Sequence, residues 1–151
     1  RISLIHRNVL TPGDAGGSDC VLAMNFSYWL FKTREDLRNY FIAVRESLGE
    51  QGVFFLDHYG GSEAMTETRE AKKIDDGPGR VFTYIWEQKH FNPITGMPEI
   101  RELLSEAGFA NVVVYWEGDD EDDDEEGNGE YEPTLEGTAD PAFISYIVAY
   151  D

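Results

Sequence analysis

The chain has 151 residues, a length that suits one compact domain. Its 30 Asp and Glu against 12 Lys and Arg give a formal charge of -18. That charge repels phosphates, so it argues against nucleic acid and anionic membranes as partners. Cys20 is the only cysteine, which leaves no internal disulfide and no cysteine-based zinc site and fits a reducing, cytoplasmic setting.

A hydrophobic content of 41%, with nine Phe, eight Tyr and three Trp, is enough to build a core. No apolar run approaches the roughly 20 residues of a membrane span. Ile2 to Ile5 is too short for the core of a signal peptide. Because the chain opens on Arg1 rather than Met, its true start is expected upstream.

The first predicted element is a strand near Ile2 to His6, where β-branched residues alternate. Thr11 to Ser18 reads as a turn or loop by its Gly and Pro content. Cys20 to Met24 is a short apolar run of the kind found in strands buried on both faces, which makes Cys20 a buried small hydrophobe. A helix then starts at Thr33, whose spacing to Asp36 is that of a capping box. Leu37, Tyr40, Phe41, Val44 and Leu48 recur at helical spacing, and Gly49 is positioned as the C-cap. Val53 to Leu56 follows as a buried strand that ends at Asp57 to Gly61. Strand, helix and strand at this spacing read as a βαβ unit with a right-handed crossover.

Glu63 to Ile74 is polar and reads as a short helix or a mobile segment. Val81 to Trp86 alternates as a strand does. Asn92 to Gly96 is a turn, and Pro98 sits where a first helical residue belongs. Ile100, Leu103, Leu104 and Ala107 give that second helix its apolar face, and Gly108 ends it. Val112 to Trp116 is a strand. Eleven acidic residues fall between Glu117 and Glu132, and residues 117–139 read as an acidic flexible loop within the domain. Phe143 to Ala149 is the last strand, and the long loop before it allows an antiparallel pair.

Several phrases in this order resemble class I S-adenosylmethionine-dependent methyltransferases. Cys20-Val-Leu-Ala-Met-Asn-Phe-Ser-Tyr-Trp29 resembles the fourth strand of that fold and the motif after it. Leu37 to Gly52 resembles the next helix and its exit. Glu99 to Phe109, with its Leu-Leu and Ala-Gly-Phe phrases leading into Asn-Val-Val-Val-Tyr, resembles the late helix and strand. The resemblance covers nearly the whole chain. It implies an α/β fold: a partial Rossmann-like methyltransferase sheet, mostly parallel with a C-terminal antiparallel hairpin, in a single partial domain of residues 1–151. It further implies S-adenosylmethionine as cofactor and a small-molecule methyl acceptor as partner.

The sequence departs from that pattern in two places. It lacks the Gly-rich loop and the acidic strand end that hold the methionine and ribose parts of the cofactor in the family. The junction at Thr95-Gly96-Met97-Pro98 is also short, and additional strands are expected there in relatives. If Ile2 to His6 is the family's third strand, its usual neighbours are missing, so it must dangle, re-pair or be completed by another polypeptide. Methyl transfer by these residues alone is therefore expected to be weak or absent.

Ligands of open α/β sheets bind beyond the carboxyl ends of the strands. By resemblance, Asn8, Asn25, Phe26 and Ser27 are candidates for the cofactor. Asn8 is equally a turn residue, Asn25 a helix cap and Phe26 a core ring. Tyr28, Trp29, Asp57 and Tyr59 are candidates for the acceptor, with Tyr28 and Trp29 as an aromatic wall or as core. His58 reads as a general base or as a hydrogen-bonded turn histidine. These assignments require the strands ending near Met24 and Leu56 to run side by side and open onto one cleft.

No metal site is expected; Asp119 to Glu126 lacks the spacing of a calcium loop and reads as solvated. Tyr28 and Lys32 match the spacing of a short-chain dehydrogenase pair without its helical context. A dehydrogenase shares the sheet architecture but also needs the missing Gly-rich loop. The alternative of another class is a non-catalytic interaction protein that meets a basic partner through the acidic loop. The oligomeric state is left open.

Overall fold

A computed structural model describes residues 2–11, 16–89, 96–119, 127–135, 137 and 140–151. The strands are β1 (Ser18–Ala23), β2 (Leu48–Gly60), β3 (Thr68–Asp75), β4 (Val81–Gln88), β5 (Asn111–Asp119), β6 (Gly127–Pro133) and β7 (Phe143–Tyr150). The helices are α1 (Arg34–Ser47) and α2 (Met97–Glu106), with 3-10 turns at Ser27–Leu30 and Glu63–Met65.

Five strands form one sheet in the order β1-β2-β7-β5-β6, while β3 and β4 pair with each other alone. β1 and β2 run parallel, with Ala23 opposite Leu56. The two strand ends therefore lie together, as a shared cleft requires. β7 inserts between β2 and β5 and is antiparallel to both. β6 adds an antiparallel edge to β5. The sheet is thus mixed, and its antiparallel part is larger than the expected hairpin.

Both helices form where apolar residues recur on one face. The Thr33 hydroxyl accepts the Asp36 N–H at 3.1 Å, which caps α1 as the capping-box spacing predicts. Leu37, Phe41 and Val44 of α1, with Ile100, Leu103 and Leu104 of α2, are buried against Phe54, Leu56, Val114 and Ile147. The two helices thus cover one face of the sheet. Arg34 of α1 ties them together through Glu99 at 3.0 Å and Glu106 at 2.8 Å. Gly108 ends α2 with φ of 105°, and the Phe109 N–H reaches the Leu104 carbonyl at 3.2 Å. This return places the Phe109 ring 6.0 Å from Phe54. Among the described residues, no helix is long and apolar enough to cross a membrane.

Several expectations are corrected. Ile2 to His6 forms no strand: Ile2 is 89% exposed and Leu4 95%. A lone extended segment leaves its backbone groups unpaired, and the edge of β1 does not capture it. Cys20 is exposed because β1 is an edge strand and the sheet face opposite the helices is uncovered. On that face Leu22 is 65% exposed. Gly49 caps nothing; Leu48 already has extended dihedrals and the chain passes directly into β2. β2 continues through Asp57, His58 and Tyr59, which pair with Tyr146, Ser145 and Ile144 of β7.

Glu63 to Ile74 becomes a 3-10 turn followed by β3, a polar strand held by its pairing to β4. The acidic stretch is partly sheet, since Glu117 pairs with Tyr131 and Asp119 with Gly127. Residues 120–126, most of the acidic block, lie outside the described residues, as do 92–95 of the expected turn.

Candidate functional site

The site grows from the parallel ends of β1 and β2. Directly after β1, Asn25 and Phe26 take left-handed backbone conformations, with φ of 56° and 53°. Non-glycine residues hold such dihedrals at a cost of roughly 1–3 kcal/mol each, so the surroundings must enforce them. Asp57 of β2 does this. Its Oδ2 accepts the Asn25 N–H and its Oδ1 the Phe26 N–H, both at 2.8 Å. The carboxylate is 7% exposed and is engaged at both oxygens.

The clamped turn determines which rings face outward. The 3-10 turn at Ser27–Leu30 buries Tyr28 completely and leaves Trp29 part-exposed. Phe26 lies 5.7 Å from Trp29 and 5.5 Å from Tyr59 between ring centroids, and Trp29 lies 6.2 Å from Tyr59. A fourth ring arrives from the separate ladder: Trp86 of β4 stands 6.4 Å from Tyr59 at 86° to it. β4 is anchored there by buried Gln88, whose Nε2 donates to the carbonyls of Glu63, Ala64 and Thr66 at 3.2, 2.9 and 2.8 Å. The four rings line a cavity of about 490 Å³, with Asn25 and Glu87 to Lys89 completing its rim.

The charged residues lining this cavity are Glu87 and Lys89, one of each sign. Partial burial, with a smaller contribution from the charges of Glu63 and Glu70, pushes the Tyr59 hydroxyl above its ordinary range. Glu87 is engaged by Lys89 at 3.1 Å and Arg69 at 3.6 Å. Among the described residues, no group of three or more His, Cys, Asp or Glu is placed to hold a metal ion.

Of the residues singled out in the sequence, Asn25, Phe26, Trp29 and Tyr59 meet at this cavity. The others do not. Asp57 lies beneath the turn and binds backbone rather than presenting a free carboxylate. Tyr28 is no aromatic wall: it is fully buried and its hydroxyl sits 3.0 Å from His58 Nδ1. Burial raises the Tyr28 pKa and lowers that of His58 to about 4. His58 is also 0% exposed, so it has no access to a substrate as a general base. Its side chain projects to the helix-covered face with Phe54 and Leu56, following the period-2 alternation along β2. Ser27 is exposed and is not among the residues lining the cavity. Asn8 lies in the exposed N-terminal segment, where its side chain accepts the Leu10 N–H at 3.0 Å in a local turn. Trp86 and Gln88 were missed by sequence reasoning; the alternation of β4 marks Trp86 as facing one side but does not say what it meets.

Solved structures share this fold. An S-adenosylmethionine-dependent methyltransferase from Clostridium acetobutylicum superposes with a TM-score of 0.57 at 13% identity, over 99% of this chain and 65% of that one. The fold is that of the S-adenosylmethionine-dependent methyltransferases. The glycopeptide N-methyltransferase MtfA, solved with S-adenosylmethionine, gives a TM-score of 0.57 at 14% identity over 98% of this chain and 64% of its own. DesVI of Streptomyces venezuelae gives 0.56 at 16% identity over 95% and 63%. The chain therefore spans less than two thirds of each of these methyltransferase structures. No protein-family model matches the chain, and no curated protein matches it either.

Proposed function

We propose that this chain takes part in S-adenosylmethionine-dependent methyl transfer to a small-molecule acceptor, at the cleft beyond β1 and β2. The observation that carries the reading is the Asp57-clamped turn, which holds Phe26 at the carboxyl ends of two parallel strands, where open α/β sheets bind ligands. The methyltransferase fold and the complexes of MtfA with S-adenosylmethionine and S-adenosylhomocysteine support it.

The residues of the cleft suit one end of that cofactor. When bound, it supplies an electrophilic methyl group on positively charged sulfur. Phe26, Trp29 and Tyr59 offer ring surfaces that attract such a charge and exclude water. Asn25 offers a polar rim. No Gly-rich strand-to-helix turn stands in the sequence to cradle the methionine part, so turnover by these 151 residues alone is expected to be weak or absent.

What the chain contributes is alignment and desolvation rather than proton transfer. His58 is enclosed, and Tyr59 keeps its proton at neutral pH. Asp57 acts as a positioning residue through the turn it clamps. Calorimetric titration with S-adenosylmethionine tests the proposal. Binding by the 151-residue chain, weakened about tenfold in Phe26→Ala with the far-ultraviolet spectrum unchanged, is expected for loss of one ring contact worth about 1.4 kcal/mol. Equal affinity of the two proteins, or no heat from the folded chain, would refute it.

A further inference from the structure

Resting on the methyl-transfer reading, we infer that His58 is a second positioning residue of the cleft: its unprotonated Nδ1 receives the Tyr28 hydroxyl and so holds the far end of the turn whose near end Asp57 clamps. The two residues are consecutive in β2, so their side chains leave opposite faces of the sheet. Asp57 takes the Asn25 and Phe26 N–H groups at 2.8 Å. His58 meets the Tyr28 hydroxyl at 3.0 Å, and both side chains are 0% exposed. The segment from Asn25 to Tyr28 is thereby gripped from both faces at the end of β2. Of the rings that this segment sends to the cavity, Phe26 is itself gripped and Trp29 follows Tyr28 directly.

The neighbours determine where the protons sit. The Trp29 indole N–H can only donate, and it lies close enough to the Tyr28 oxygen to counter part of the pKa rise that burial causes there. With that oxygen engaged as an acceptor, the Tyr28 O–H is left to donate to Nδ1. Burial keeps the imidazole neutral, and a neutral ring with a bare Nδ1 carries its proton on Nε2. Opposite His58 in the ladder, on the same face, stands Ser145, also 0% exposed. Nε2 and the Ser145 Oγ are both enclosed, and neither finds a hydrogen-bond partner elsewhere among the described residues. A hydroxyl at that register position offers the Nε2 proton an acceptor that a hydrocarbon side chain would not. β7 thereby supports the tautomer that the turn requires.

Nitrogen-15 spectra of the imidazole and amide shifts of the turn test this in the 151-residue chain at neutral pH, beside calorimetric titration with S-adenosylmethionine. The expected ring has Nδ1 unprotonated and Nε2 protonated. Tyr28→Phe removes only the hydroxyl; it is expected to move the amides of Asn25 to Leu30 and to weaken S-adenosylmethionine about five- to tenfold. Two further variants separate positioning from packing. In His58→Asn the side-chain oxygen falls where Nδ1 stands, so affinity stays within about twofold of the parent. In His58→Gln the amide falls where Nε2 stands, Tyr28 loses its acceptor, and affinity drops as in Tyr28→Phe. A role in packing alone gives the opposite order, because Asn leaves the larger cavity.

A proton on Nδ1 overturns the inference. So does a Tyr28→Phe chain whose turn amides stay in place, or one that matches the affinity of a parent that binds. Tighter binding by His58→Gln than by His58→Asn overturns it as well. If the parent gives no heat with S-adenosylmethionine, the methyl-transfer reading is lost, and the expected tautomer together with displaced turn amides upholds the second anchor by itself.

Discussion

The turn that builds the cleft depends on one carboxylate, and Asp57→Asn probes it with little change in shape. The native side chain accepts two backbone N–H groups at 2.8 Å each. Asparagine keeps one acceptor oxygen, now uncharged, and sets an NH₂ group against the other N–H. Hydrogen bonds to charged groups contribute about 1.5–3 kcal/mol each, and stranding a part-buried donor costs about 1–3 kcal/mol. Losing one bond and weakening the other amounts to about 2–4 kcal/mol. The effect is amplified locally, because the bonds hold Asn25 and Phe26 in left-handed conformations that relax once released. Urea unfolding monitored by tryptophan fluorescence measures the change, with Trp29 and Trp86 beside the turn contributing to the signal. The expected result is a lower midpoint, with Phe26-dependent binding lost in the fraction still folded. A second variant gives the opposite sign: Asn25→Gly removes left-handed strain and is expected to stabilise by roughly 0.5–1 kcal/mol. A change below about 0.5 kcal/mol for Asp57→Asn, the range of ordinary exposed sites, would refute the clamp.

His58 gives a pH prediction. Its pKa falls to about 4 in the fold from 6.5, through burial. As pH drops below 6.5 the unfolded chain takes up a proton that the folded chain refuses, so stability is full above that pH and declines towards about 4. The interval corresponds to about 3 kcal/mol, and to roughly 2 kcal/mol by pH 5. Urea midpoints at pH 7 and 5 should differ less in His58→Gln than in the parent; equal differences would show that His58 is not desolvated. At the end of α2, Gly108→Ala forces a side chain onto φ of 105° beside the Arg45 guanidinium at 3.2 Å. Thermal melting is expected to show a loss of about 1–2 kcal/mol, and no loss would mean the helix ends differently.

The parts legible in the sequence were those whose cause is local. Thr33 and Asp36 cap α1 because three-residue spacing is a property of the helix itself. Gly108 ends α2 because only glycine adopts its dihedral freely. The parallel pairing of β1 and β2 was legible because a strand, a capped helix and a strand leave few other connections. What depended on distant partners was hidden. β3 is polar on both faces and becomes a strand only through β4. Ile2 to His6 has the composition of a strand but no neighbour to pair with. Tyr28 and Trp29 are adjacent and equally aromatic; the left-handed turn before them decides that one is buried and the other faces the cavity. Asp57 read as a ligand for substrate because nothing in its own neighbourhood reveals that two backbone donors 31 and 32 residues away occupy it.

The central claim is that the cleft of Asn25, Phe26 and Tyr59 receives the methyl donor. Amide chemical-shift mapping during titration with S-adenosylmethionine tests it residue by residue. The predicted result is saturable shifts at Asn25, Phe26 and Tyr59, with the amides of α2, packed beneath the sheet, left in place. Shifts confined to the β5–β6 edge, or a spectrum unmoved at saturating cofactor, would contradict it.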